Sequence, residues 1–391
     1  MQGGSIRMRA SVARSASGPL TLESTMLRGP RSDEVLVKLV ATGLCHTDIA
    51  VKERGLCAFP MVLGHEGAGI VERVGSSVSD YKVGDHVLLS YASCGSCPHC
   101  LIGKPAYCFE HGSENFSGVD TGAKEGQPKT RHTHAPDAPN GEANQPIYGS
   151  FFRQSSFAEY ALATSNNLVK VDRSLDLAKL SPLGCGIQTG AGAVLNTLRP
   201  PVGSNIVVFG IGAVGLSAVM AARLSGCRNI IAVDRNEARL KLAKELGATN
   251  TLRVTGQEDG KELVESLRSL SSHGYEYSID TSGNPSVLRT AFDVLNPLGV
   301  AGLIGGAAPG VEVKIDMLGL LPGKQLRGII QGDAVSKIFL PQLIEHHQAG
   351  RFPFEKMITY YNGLEELNQA IADCKDPQGK VIKPVVRIAP Q

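Results

Sequence analysis

The spacing of apolar positions changes part-way along the chain. From Ile6 onward apolar and polar residues alternate, and "EVLVKLVATG", "AGIVERVG" and "VGDHVLLS" are short β-branched runs separated by glycines. They predict a twisted, turn-rich, mostly β unit over residues 30 to 110. Between Ser113 and Pro146 the stretches "TGAKEGQPKT" and "APDAPNGEANQP" carry prolines and glycines without an apolar period, which predicts a long loop with His132 and His134 as solvated loop residues. "SFAEYALA" and "LVKV" read as strands again. Near Ser181 the rhythm becomes strand then helix: "NIVVFG", "AVGLSAVMAARLSG", "NIIAVD", "NEARLKLAKELGA", "YEYSIDTSG" and "PSVLRTAFDVL". Such alternation demands a parallel sheet covered by helices on both faces. Past Lys324 two helices, "FLPQLIEHHQAG" and "GLEELNQAIADC", precede a strand in "KVIKPVVRI", and this tail is expected to return to the first unit. The expected division is 1–181 for the β unit, 182–324 for the α/β unit and 325–391 for the return.

A length of 391 residues suits two domains at roughly 150 residues each. The 39 basic and 37 acidic residues sum to +2 without a long run of either sign, which excludes an electrostatic grip on nucleic acid or anionic lipid and leaves a small molecule as the expected partner. The longest uncharged stretch, Asn205 to Ala222, is broken by Gly210, Gly212 and Gly215 into strand, turn and helix, so no membrane span is expected. Arg7, Arg9 and Arg14 among serines are similar to a transit peptide, but the segment has no apolar secretory core and runs into alternating strand. The expected compartment is the cytoplasm.

Nine cysteines without a secretory signal point to metal or reactive thiolates rather than disulfides. Cys94, Cys97, Cys100 and Cys108 stand as C-x2-C-x2-C-x7-C in a lobe of about residues 90–112, where four thiolates would close a tetrahedral, structural zinc site. The rival reading of Cys97 to Cys100 is a thiol-oxidoreductase C-x-x-C, but it leaves the other two cysteines unused. A second, dispersed set comprises Cys45 in "GLCHTD", His65 and Glu66 in "LGHEGAG", and Cys185 in "PLGCGIQTG". Each alone reads as a buried cysteine or a turn residue. Together they could form a Cys2His zinc site with an open position beside Thr47. In "VVFGIGAVG", Gly210, Gly212 and Gly215 fall in G-x-G-x-x-G register between a strand and a helix, and Asp234 ends the next strand nineteen residues beyond Gly215. That context predicts a dinucleotide site: Gly210 turns the chain, Gly212 admits the pyrophosphate, Val214 opens the helix, Gly215 packs it on the strand, and Asp234 receives the adenosine ribose. The Asp234 charge favours NAD over NADP, with Arg235 beside it as the opposing feature.

With these motifs, and with "ATGLCHTD", "GSFFRQSSFAEYAL", "LGCGIQTGAGAVLN" and "GKQLRGIIQGD", the chain from about Ile6 to Ile388 resembles the zinc-dependent medium-chain alcohol dehydrogenase family and, within it, the aryl-alcohol (benzyl alcohol) branch. The resemblance implies a GroES-like, mostly-β catalytic domain beside a Rossmann doubly wound parallel sheet. It implies two zinc ions, NAD, and hydride transfer between NAD and a primary alcohol or aldehyde, aryl or allylic. Cys45, His65 and Cys185 would be catalytic zinc ligands, Glu66 an alternate ligand, Asp48 the carboxylate that orients His65, and Thr47 the acceptor of the alcohol proton. His46 and Lys383 would contact pyrophosphate, Arg239 the ribose, and Thr189 the nicotinamide. Ala50 stands where several relatives carry a relay histidine, and Ser90, small at a pocket-lining position, implies room for a bulky substrate. A homodimer or tetramer is implied by analogy. A tailoring enzyme of aromatic or polyketide metabolism fits the same residues. A zinc hydrolase or deaminase would leave the nucleotide motif without a role, and His65 and Glu66 do not form H-x-E. A non-catalytic relative would not require Cys45, Thr47, His65 and Cys185 all to be present.

Overall fold

A computed structural model describes residues 4–139, 141–256, 258–271, 274–376 and 378–391. Its centre is a six-stranded, all-parallel sheet in the order Asn250–Arg253, Asn229–Asp234, Asn205–Phe209, Tyr275–Asp280, Leu295–Leu303, Gln325–Gly328. The first strand in sequence, Asn205–Phe209, is buried throughout because helices cover both faces. Ile206 and Val208 join Val219 and Leu240 in one core, whereas Val207 and Phe209 join Leu267 and Ala291 in another. A strand buried on both faces reads as a continuous apolar run, which is how "NIVVF" reads.

The remaining sheets are largely antiparallel. Strand Glu34–Gly43 lies at the middle of a seven-stranded sheet, paired with Gly67–Val74, Tyr160–Thr164 and, from the far end of the chain, Lys383–Arg387. The tail therefore does re-enter the first unit, after helices Ser336–Gln348 and Leu367–Lys375. Strand Ile358–Asn362, which the sequence pattern did not announce, pairs parallel with Lys383–Arg387.

Within the segment from Ser113 to Pro146 the expectation of solvated loop histidines fails. His132–His134 is a strand that extends the sheet of Ile6–Ala13 and Leu20–Leu27, and it pairs in turn with Pro146–Ile147. His132 and His134 are both buried. Their neighbour Arg131 is 1% exposed in its side chain and donates to the carbonyls of Arg153 (3.1 Å) and Leu162 (2.8 Å). Around it Arg28 bridges Glu34 and Asp120, and Arg31 meets Asp120 at 2.9 Å. The polar stretches on either side of this strand, residues 121–130 and 135–145, run as largely exposed turns among the described residues, so the loop expectation fails at the strand and at the buried charges beside it. Such charges can be held away from water only when each has a partner.

Candidate active site and metal centres

Two groups of metal-ligating side chains converge among the described residues: the four cysteines that their spacing points to, and the dispersed set of Cys45, His65, Glu66 and Cys185. In the lobe, Cys97 caps helix Pro98–Leu101 and Cys108 follows a single 3-10 turn, so the backbone itself gathers the sulfurs. Cys97 Sγ lies 3.5 Å from Cys100 and 3.9 Å from Cys108, and Cys94 Sγ lies 4.0 Å from Cys100. A tetrahedral zinc with bonds of about 2.3 Å spaces its sulfurs by about 3.8 Å, so the donor set fits that ion. Backbone N–H groups of Cys97 and Cys94 donate to Cys94 Sγ and Cys108 Sγ, each at 3.3 Å, which suits anionic sulfur.

The second group lies where the two domains meet. Cys45 caps helix His46–Glu53, and the Asp48 carboxylate folds back to accept from its N–H (3.0 Å) and from Gly64 (3.1 Å). The same carboxylate lies 2.8 Å from His65 Nδ1, so Nε2 is the ring nitrogen left to face Cys185 Sγ at 3.2 Å. One donor atom from each of Cys45, His65, Glu66 and Cys185 falls within 4.8 Å of the others. Hydrogen bonding from Cys185, supported by His65 and Lys383, holds the Cys45 thiol well below its ordinary range despite burial. Burial pulls the His65 imidazole down, but Asp48 and Cys45 outweigh it and hold it above its usual value. Cys45 therefore favours thiolate, the form that binds metal, whereas the hydrogen bond to Cys45 and burial push the Cys185 thiol well up. Glu66 is fully buried against Lys383, whose Nζ approaches its two oxygens at 2.6 and 2.5 Å. Burial pushes the Glu66 carboxyl up to about 7 while Lys383 opposes the shift.

The glycine motif forms the third element of the site. Gly210 has φ +85°, and a Cβ on Gly215 would lie 1.9 Å from the Gly210 carbonyl, so strand and helix touch only because both are glycine. A Cβ on Gly212 would meet nothing within 4 Å, which leaves space over the N-terminus of helix Ala213–Leu224, where Val214 is half-buried. Asp234 accepts from the N–H groups of Ile211 (2.5 Å) and Asn236 (2.8 Å) at the rim of this space. Arg239 Nε is buried without a hydrogen-bond partner among the described residues. Thr189 lies on the helix that Cys185 caps and donates to the Cys185 carbonyl at 2.8 Å. His46 is exposed and Thr47 half-buried on the first turn after Cys45, with Ala50 one turn further on.

Residues 31–173 match the family model described as Alcohol dehydrogenase GroES-like domain, and residues 213–345 match Zinc-binding dehydrogenase. A geraniol dehydrogenase from Castellaniella defragrans is 38% identical over 97% of this chain and 98% of its own. The chain belongs to the zinc-dependent medium-chain alcohol dehydrogenase family. Among solved structures, an alcohol dehydrogenase zinc-binding domain protein from Burkholderia ambifaria superposes with a TM-score of 0.91 at 44% identity, covering 99% of this chain and all of that one. Benzyl alcohol dehydrogenase from Acinetobacter calcoaceticus gives 0.89 at 40%, covering 98% and 100%. The mostly-β unit of this dehydrogenase is thus its GroES-like domain, and the parallel sheet is its Rossmann domain. No helix among the described residues is long and apolar enough to cross a membrane.

One expectation fails in the dehydrogenase: Ser90 is fully buried, and its hydroxyl is tied to Gly184 O (2.6 Å), Gln188 (2.7 Å) and Ser336 (3.0 Å), so it opens no room for substrate. Two supporting residues escaped the sequence reading. Phe152 stacks on the His65 ring at 4.4 Å from a left-handed backbone position, φ +49°. Gln154 donates to His65 O (2.9 Å) and Ser90 O (3.0 Å) and accepts from Gly67 N–H at 3.0 Å. Both lie in "GSFFRQSSFAEYAL", whose paired phenylalanines beside a buried glutamine were the available signal.

Proposed function

We propose that this dehydrogenase carries two zinc ions per chain, prefers NAD to NADP, and interconverts benzylic or allylic primary alcohols with their aldehydes. Cys94, Cys97, Cys100 and Cys108 hold the structural ion. Cys45, His65 and Cys185 hold the catalytic one, with Glu66 as its alternate ligand. Residues 1–181 and 325–391 act as the catalytic domain and 182–324 as the nucleotide domain. The convergence of Cys45, His65 and Cys185 beside Thr189 and the glycine turn carries this reading.

When bound, zinc supplies the Lewis acidity that makes an alcohol proton labile near neutral pH, and the nicotinamide ring takes up hydride. The chain's own residues do the rest. Thr47 accepts the alcohol proton at its Oγ1 as its own hydroxyl proton passes to solvent, since Ala50 offers no side chain to carry it onward. Asp48 fixes the His65 ring through Nδ1. Asp234 and Arg239 receive the adenosine ribose, the N–H groups after Gly210 face the pyrophosphate with His46 beside them, and Thr189 borders the nicotinamide. The preference for benzylic and allylic substrates is supported by the two relatives named for benzyl alcohol and geraniol. Nine free cysteines suit a reducing compartment, the cytoplasm. The exposed edge strand Gln325–Gly328 suits pairing with a second copy of the chain.

The test combines metal analysis with formation of reduced nucleotide from benzyl alcohol or geraniol. Two zinc per chain and turnover of at least one alcohol with NAD are expected. One zinc or none, or no turnover across a panel of aryl and allylic alcohols, rejects the reading.

A further inference from the structure

Between the edge strand and helix Ser336–Gln348 the chain passes from the four-cysteine lobe to the second metal cluster in a few residues. Gln331, Gly332 and Asp333 have φ of +50°, +64° and +52° in succession. Side chains with a Cβ hold that conformation only when their surroundings compel it. Here the surroundings are visible. The Gly332 carbonyl accepts from Asn196 Nδ2 at 3.0 Å and lies so near Gly192 that a Cβ there would stand 2.3 Å from it. The Tyr91 hydroxyl donates to the Ala334 carbonyl. The buried Asp333 carboxylate accepts from Arg327 (2.8 Å), from Lys104 (3.4 Å) and from the Tyr107 hydroxyl. Lys104 and Tyr107 lie within the lobe, between Cys100 and Cys108, so the lobe grips this turn directly.

At its other end the turn delivers the Gln331 side chain into the interior. Its Oε1 lies 3.3 Å from Gln188 Nε2, a donor, and 3.4 Å from the Thr189 hydroxyl, whose proton goes to Cys185 O, and its Nε2 is directed at Cys185 Sγ, 3.8 Å away. We propose that Gln331 is a positioning residue for the Cys185 corner of the metal centre, donating to its sulfur, and that Asp333 links Gln331 to the four-cysteine lobe. The proposal rests on the metal reading under Proposed function. A donor on sulfur draws charge away from the metal–thiolate bond, so Gln331 tunes the ion's acidity as well as the place of its ligand. It also gives the closed lobe a part in the reaction despite its lack of an open ligand position.

The experiment replaces the catalytic ion of the intact enzyme with cobalt(II) and follows the visible sulfur-to-cobalt band and the rate of cobalt loss to a chelator. In Gln331→Met, of similar length and without an amide, the band shifts and loss accelerates about tenfold, while the lobe keeps its metal. Asp333→Asn, which keeps the shape and removes the charge, produces the same kind of change. The double variant goes no further than Gln331→Met alone, since both act through one contact. Should Gln331→Met fail to fold, Gln331→Glu keeps the shape and sets an acceptor oxygen against sulfur, and the band again moves. An unmoved band and unchanged loss in the Gln331 variant overturn the sulfur contact, and additive effects in the double variant overturn the link through Asp333. A parent enzyme without a sulfur-to-cobalt band overturns the underlying metal reading instead, whatever the variants do.

Discussion

Asp234 is the single side chain on which the proposed preference for NAD turns. Its two oxygens are fixed by the N–H groups of Ile211 and Asn236, so the carboxylate cannot swing away from a nucleotide lying across the glycine turn. A 2′-phosphate at that place would meet a fixed negative charge. In Asp234→Ala the ratio of kcat/KM for NAD over NADP is expected to fall about tenfold or more, ~1.4 kcal/mol or above. An unchanged ratio removes Asp234 from the ribose site. His132 makes a different prediction, one of stability. Burial above all, aided by Arg131 and Arg28, pushes its folded-state value down to about 3. The unfolded chain takes up a proton near pH 6.5, which the folded chain refuses until about pH 3. Its contribution to stability is therefore complete above about pH 6.5 and declines as the pH falls, by up to about 1.4 kcal/mol per unit. Denaturant unfolding at pH 7 and pH 5 should show a smaller loss for His132→Gln than for the parent. Equal losses would mean that His132 titrates alike in both states.

Among the elements, the glycine turn and the four-cysteine lobe were legible in the sequence because their chemistry is local or counted by spacing, whereas Cys45, His65 and Cys185 stand far apart and gained their meaning only together. Only glycine tolerates the φ of Gly210 and the contact between Gly215 and the Gly210 carbonyl, and the lobe brings its four sulfurs together within fifteen residues. Strand His132–His134 was not legible, because its burial rests on Glu34, Asp120 and several arginines drawn from far along the chain, which leaves no apolar period to read. The turn at Gln331 was equally hidden, since its conformation is imposed by Asn196, Tyr107 and Lys104 rather than by local propensity. Ser90 misled for a related reason: a small residue does not mark an empty space when neighbouring polar groups converge on it. The legible turn permits a sharp prediction. In Gly215→Ala the new methyl must displace the helix from the Gly210 carbonyl, at a cost of about 1–3 kcal/mol. Both the thermal midpoint and the affinity for NAD, read by titration of nucleotide fluorescence, are expected to fall together. A stable variant with parental affinity would show that helix and turn are not in register with the nucleotide.

At the scale of the molecule, the Rossmann sheet ends on an open edge. All four residues of Gln325–Gly328 are exposed, and Met317, Leu318 and Leu321 stand largely bare beside them. An unpaired edge flanked by apolar side chains invites pairing with another chain, and natural sheets shield such edges with charge, proline or a covering element. Here Lys324 and Arg327 flank Leu326, yet Lys324 is turned to the carbonyls of Phe292 and Asp293, and Arg327 is turned to Asp333, so neither guards the edge. A second copy related by a two-fold axis would meet the same patch with the same patch, the closed arrangement that stops at a dimer rather than a fibre. The edge strand also leads directly into the turn that carries Asp333 and Gln331. Charges placed on the patch, as in Leu321→Glu with Leu326→Lys, should shift the parent's sedimentation from dimer toward monomer without unfolding the chain, because neither side chain belongs to a buried core. A monomeric parent would refute the pairing, and a variant that stayed dimeric would move the interface to another face.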